Sequence, residues 1–149
     1  MADTRVQLEA EDWVRCEWLP RQFNQQFRRE RLRLTAGGVF DFDAVSADDS
    51  IVANISTSSG VTAGGKNPAA KIQKLRADML FLLMIQAKKR LIILTEKDMY
   101  ELCRKEKVNG RVPNEIDFLL AELPDALAAA LKEAKRKASD EVSSGRYGN

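Results

Sequence analysis

Apolar and polar positions alternate most cleanly between Leu32 and Ser59. Phe40, Phe42 and Ala44 alternate with Asp41, Asp43 and Val45, and Ile51, Ala53 and Ile55 alternate with Val52, Asn54 and Ser56. Successive strand side chains point to opposite faces. One face is therefore apolar, and the other carries Asp41, Asp43, Asn54 and Ser56. Gly37-Gly38 supplies a hairpin turn, and Ala47–Ser50 a second, in which Asp and Ser offer local hydrogen bonds. The stretch predicts a three-strand meander.

On either side of the meander the period becomes helical. Trp13, Val14, Leu19, Phe23 and Phe27 predict a helix over 5–29 in two pieces, the second opened by Pro20. Glu9, Glu11, Asp12 and Glu17 make its start acidic. Arg28, Arg29, Arg31 and Arg33 make its exit basic, as a solvated face would be. After a Gly/Ser-rich loop over 58–66, Asn67-Pro68 predicts the start of a helix to about Gln86, with Ile72, Leu75, Met79, Leu82 and Leu83 on one face. LIILT (91–95) is an unbroken apolar run, the pattern of a central strand covered on both faces. Thr95, with Asp98 three residues on, predicts the N-cap of a helix to about Glu106. Residues 114–122 fit a short helix or a strand. Leu123-Pro124 opens a last helix to about Val142, and 143–149 is expected to be a disordered tail.

These elements predict an α/β (α+β) fold in a single domain over 1–142. It is a three-layer sandwich, with a central mixed sheet of about four strands and helices on both faces, in the order α-βββ-α-β-α-α. The core covers about 8–107, and 114–142 is a helical extension.

Composition narrows the function. A length of 149 residues suits one domain with a real core. The net charge of +2 gives a weak overall field, so any contact with nucleic acid must be local. The absence of histidine excludes a serine–histidine triad, a histidine base and the usual zinc ligand sets. Cys16 and Cys103 are far apart and suggest neither a disulfide framework nor a zinc site. Neither an apolar leader nor a run of about 18–20 apolar residues is present, so a cytoplasmic protein with no membrane partner is expected.

Three local features carry candidate chemistry. Gly60, Gly65 and Lys66 are spaced like a phosphate-binding loop, but Asn67 follows the lysine where Ser or Thr is needed to hold magnesium, so the stretch is read as a flexible loop. Asp41 and Asp43 share a strand face, and their oxygens suit Mg²⁺ or Mn²⁺; the alternative is a solvated face. Asp48 and Asp49 belong to the turn. From Lys66 to Lys107 there are eleven Lys/Arg against five Asp/Glu. Lys71 and Lys74 share a helix face, and Lys88, Lys89 and Arg90 form a cluster. Such a surface suits a phosphodiester substrate, or is simply solubilising.

Helix, three-strand meander, helix, strand and helix together resemble the PD-(D/E)xK nuclease superfamily, the restriction-endonuclease-like fold, over about 8–107. In that superfamily an Asp on the second strand is followed on the third by (D/E)-x-K. Asp43 takes the first position, Asn54 the second acid and Ser56 the lysine. GGVFDFDAVSADDSIVANISTSS, with RLIILT and the later Leu123-Pro124, also resembles a bacterial group of uncharacterised proteins with this fold. The resemblance implies a metal held by Asp43, Asp41 and Asn54, with Mg²⁺ or Mn²⁺ as cofactor if the site is active and none otherwise. Asn54 is a neutral ligand and Ser56 supplies no cation, so two of the three motif positions are substituted. Glu11 on the first helix is the candidate second acid, and Lys66 or Lys71 the candidate replacement lysine.

Two readings follow. The first is a degenerate member that binds nucleic acid or a protein, with Lys71, Lys74, Lys88, Lys89 and Arg90 as nucleic-acid contacts. The second is a divalent-metal-dependent nuclease whose catalytic residues are Asp43, Glu11 and Lys66 or Lys71. A third, a structural α/β protein, uses Trp13, Trp18 and Phe23 as an interface rather than a core edge. A homodimer is the expected assembly.

Overall fold

A computed structural model describes residues 4–60 and 69–147, with side chains to residue 140. The chain opens on one helical run in three parts: α1 (Arg5–Trp13), a π-helical turn (Val14–Trp18) and α2 (Leu19–Phe23). Pro20 accounts for the middle part. Proline has no N–H for the carbonyl of residue i−4, and its ring crowds that carbonyl. Residue i−4 is Cys16, inside the π turn, where the wider winding makes room.

Asn24 ends the run in a left-handed conformation (φ 56°), which Asn tolerates better than most side chains. Strand β1 (Phe27–Arg33) therefore begins where the sequence suggests a helix exit, and Arg28 and Arg29 are strand residues. The Gly37-Gly38 hairpin leads to β2 (Val39–Ser46), with Gly37 at φ 100°. The second turn forms as its residues imply. The Asp48 carboxylate accepts the Ser46 hydroxyl and both the N–H and hydroxyl of Ser50, and β3 (Ile51–Ser56) follows.

Helix α3 (Ala69–Leu83), β4 (Lys89–Leu94), α4 (Lys97–Val108), β5 (Ile116–Leu120) and α5 (Asp125–Tyr147) complete the chain. Among the described residues the sheet has five strands in the order β1-β2-β3-β4-β5, not about four, because 116–120 is a strand. The first two pairings are antiparallel and the last two parallel. The parallel pairs are linked through α3 and α4, since parallel neighbours need a long crossover. Glu96, not Thr95, is the N-cap of α4; Thr95 is buried and its N–H donates to Ser56 O (3.1 Å). Helix α5 continues past Val142 to Tyr147, where the sequence suggests a disordered tail. Lys66 and the Asn67-Pro68 cap lie outside the described residues, as do most of the loop over 58–66 and residues 148–149.

The strict alternation expected of β2 is broken by a bulge. Arg28 pairs with Val45 and Glu30 with Phe42, so Arg29 alone faces both Asp43 and Ala44. An extra residue resets the side-chain phase. Phe42 and Val45 join one core with Val52, Ile92 and Leu94, under Leu75, Met79 and Leu82 of α3 and Met99 and Cys103 of α4. Ala44 joins a second core with Ala53, Ile55, Leu91 and Ile93, under Val14 and Leu19. The face that carries Asn54 is thus covered rather than wet. Trp13, Trp18 and Phe23 pack at the edge of the second core. Helix α5 lies against α1, with Leu131 buried and Lys135 bound to Thr57 O and to Glu96.

Candidate functional site at the split between β2 and β3

Strands β2 and β3 pair at Ala44 with Ala53 and at Val45 with Val52, and then part. β2 continues along β1, and β3 along β4. Side chains take up the backbone groups at the split. Asp43 Oδ2 accepts the Ile55 N–H (2.8 Å), and Asn54 Oδ1 accepts the Asp43 N–H (3.3 Å). Arg15 Nε, reaching over from the π turn, donates to Asp43 O (2.6 Å), and its Nη1 pairs with Asp12 (2.7 Å). The amide, the carbonyl and one carboxylate oxygen of Asp43 are therefore all held.

The split opens into a cavity of about 320 Å³. Glu11 of α1 lines one wall, and Lys71, Lys74 and Asp78 of α3 another. Asp43, Asn54, Ser56, Thr57 and Ser58 line the sheet side, with Arg29 of β1 also at the cavity. The Lys71 ammonium donates to Ser59 O (3.1 Å).

Desolvation and neighbouring charge shape the acids. Burial raises the Glu11 carboxyl above its usual range, and the Asp43 charge adds to this, against Arg15, Arg29 and Lys74. Burial, then the Asp43 charge, pushes Asp78 up to about 6, with Lys74 opposing. Both effects disfavour the ionised form.

Of the residues nominated by sequence, the cavity gathers Asp43, Glu11, Asn54, Ser56, Lys71 and Lys74. Asp41 also lines it, but Arg31 grips its carboxylate with two bonds (2.8 and 3.2 Å) and holds its titration below the usual range. Lys88, Lys89 and Arg90 lie elsewhere. Lys89 pairs with Ile51 at the start of β3, whereas the cavity sits at the end of that strand. The Arg90 guanidinium closes the end of α3 by donating to Leu82 O (2.8 Å) and Ile85 O (2.7 Å). The Lys89 ammonium lies 5.7 Å from the centroid of the Phe23 ring.

Asp78, Arg29 and Arg15 were not anticipated. Asp78 had a signal, standing four residues after Lys74 and seven after Lys71 on one helical face. Arg29 was hidden by the helical reading of its segment. Arg15 acquires its role from the π turn, for which the sequence offers only the proline.

Asn54 does not fit the role of a metal ligand. Asn54 is 3% exposed, and its oxygen already accepts from the Asp43 N–H. Its Nδ2 is left as a buried donor without a partner. Flipping the amide would set NH₂ against N–H. With that oxygen engaged, Asn54 offers no free ligand to a cation. Among the described residues, no three Asp, Glu, Cys or His side chains come together as a metal-holding group. Among the same residues, no helix is long and apolar enough to cross a membrane. Comparison with known family models, curated proteins and solved structures yields no match.

Proposed function

We propose that the chain is a restriction-endonuclease-like domain that binds nucleic acid at the split between β2 and β3 without cutting it. The order of elements and the antiparallel, antiparallel, parallel, parallel pairing support this reading. With helices over both cores, the sheet would form the three-layer sandwich of that superfamily. One observation carries the loss of catalysis. Asp43 and Asn54 bridge the parted strands, and where the second acid would stand the Asn54 oxygen is taken up by the Asp43 N–H. Arg29, Lys71 and Lys74 supply cations for phosphate contacts, which position a nucleic acid without reading its sequence.

Fluorescence anisotropy with labelled single-stranded and duplex oligonucleotides tests this, in EDTA and in Mn²⁺. Equal binding in both, with uncut product, is expected. If three cations meet a single strand, log K falls against log salt with a slope of about 2. No binding of either form sinks the proposal and leaves a protein as the partner of the module.

A second reading, a Mg²⁺- or Mn²⁺-dependent nuclease with a rearranged site, is favoured by the gathering of Glu11, Asp43 and Asp78 in one cavity with Lys71. It requires those acids to close around an ion. Calorimetric titration with Mn²⁺ decides it: heat that vanishes in Asp43→Ala supports the nuclease, and no heat in the wild type removes it.

A further inference from the structure

We infer that the open edge of β5 docks a second copy of this chain. The two β5 strands pair antiparallel about a two-fold axis at Leu119 and join both sheets into one. This goes beyond the nucleic-acid reading and stands or falls without it.

The sheet ends on β1 at one side and on β5 at the other, and the two edges are made differently. β1 reads FRRERLR, and such charges keep a further strand away. β5 reads IDFLL, and Lys107 neutralises its single charge at Asp117 Oδ1 (2.8 Å). The Ala121 N–H donates to Leu94 O on β4 (2.8 Å). Asp117, Leu119 and Ala121 therefore turn their backbone groups toward β4, and Ile116, Phe118 and Leu120 turn theirs to the open edge. Ile116 is already satisfied, because its N–H donates to Pro113 O and its carbonyl accepts from Lys107 Nζ. The outward N–H and C=O of Phe118 and Leu120 find no partner among the described residues. Beside them runs a cavity of about 520 Å³, with Leu119, Leu120, Trp18, Phe23 and Tyr100 in its walls. Trp18, Phe23 and Leu119 pack against the second core and Tyr100 against the first, so the groove has an apolar wall on each face of the sheet.

Self-complementarity names the occupant. One antiparallel register uses every open group in both copies. It sets Phe118 opposite Leu120 of the second copy, and Leu120 opposite Phe118. Leu119 then meets its own counterpart on the axis, beside Trp18, while Phe118 and Leu120 meet beside Tyr100. The same register sets Ile116 opposite Glu122 of the second copy. Opposed side chains share a face. Glu122 is exposed and makes no ion pair with any described residue, and it arrives where the Lys107 ammonium holds the Ile116 carbonyl. The axis repeats this pair at the other end. The two ends of the edge are thus complementary in charge, as an isologous contact requires. An apolar strand without an acid at that position would fill the groove and leave Lys107 unmatched.

Sedimentation of the full chain should give a dimer, twice the 16.7 kDa of one copy. Hydrogen exchange should find the Phe118 and Leu120 amides protected in it. Glu122→Lys should weaken the dimer about tenfold by setting like charges at both ends. Leu120→Lys copies the guard on β1 and should give a monomer with the circular dichroism of the wild type. In a Cys16→Ser background, Leu119→Cys should form a disulfide between copies, because such opposed residues lie about 4.5 Å apart at Cα. Asp117→Cys should not, since its two copies stand about 14 Å apart in this register. A wild type that stays monomeric up to its solubility limit overturns the proposal; if an unrelated apolar strand then protects the same two amides, the edge belongs to a partner protein. A dimer indifferent to both Glu122→Lys and Leu120→Lys, or one that cross-links as readily through Asp117→Cys as through Leu119→Cys, uses another surface and overturns it equally.

Discussion

Replacing Asp78 by Asn should stabilise the protein at neutral pH and leave it unchanged in acid. The Asp78 carboxyl titrates near 3.8 when exposed and at about 6 in the folded chain. Below the lower value both states hold the proton, and the group contributes nothing. Between the two values the folded state keeps a proton that the unfolded state has lost, so stability falls as pH rises. Above the upper value the loss is complete. At full weight a shift of this size corresponds to about 3 kcal/mol. Asp78 is only part-buried, and water screens much of the effect, so about 1 kcal/mol is expected. Urea unfolding of wild type and Asp78→Asn, at about pH 4 and pH 7.5, measures it. The variant should gain about 1 kcal/mol at the higher pH, nothing at the lower, and keep the same denaturant slope. An equal difference at both pH values, or no gain near neutrality, would refute the reasoning. Asp43→Asn should also flatten the pH dependence, because the Asp43 charge is the second cause of the Asp78 shift.

Arg15→Ala leaves Asp43 O without its charged donor and should cost about 1.5–3 kcal/mol in chemical denaturation; a change below about 0.5 kcal/mol would mean that water replaces the guanidinium. Phe42→Ala empties a fully buried site and should cost about 3–5 kcal/mol, read as a lower urea midpoint at unchanged slope; a loss under about 1 kcal/mol would show that the site collapses. Cys16 is exposed, whereas Cys103 is buried with its thiol pushed up to about 11, so a thiol reagent should label one cysteine promptly and the second only on unfolding. Two equally fast thiols would contradict the packing of α4.

The meander was legible because its apolar positions recur with period 2 and its turns carry Gly-Gly and Asp-Asp-Ser. β4 was legible as an unbroken apolar run. β1 was not: as an edge strand it carries FRRERLR, whose charges guard an open edge and imitate a solvated helix. β5 is five residues long, too short for period alone to separate it from a turn of helix. In the site, Asp43, Glu11 and Lys71 could be nominated from residue type and place. The orientation of the Asn54 amide could not, because it depends on the Asp43 N–H, which the parting of β2 from β3 leaves without a ladder partner. The bulge at Asp43 and Ala44 escaped for a related reason. An extra residue in a strand becomes visible only against the register of its neighbour.

The π turn has a genetic consequence. Such a turn holds one residue more than the α-helix it interrupts. Losing a codon anywhere in 14–18 could restore ordinary winding, with a chain that still looks helical and amphipathic. Everything upstream would then be rotated by about 100° relative to α2. Glu11 would swing off the cavity, and any cation left in the turn would no longer meet Asp43 O. A deletion neutral for the helix would thus dismantle one wall of the cleft. Among natural variants, the length of this segment should be kept more strictly than the identity of its exposed residues.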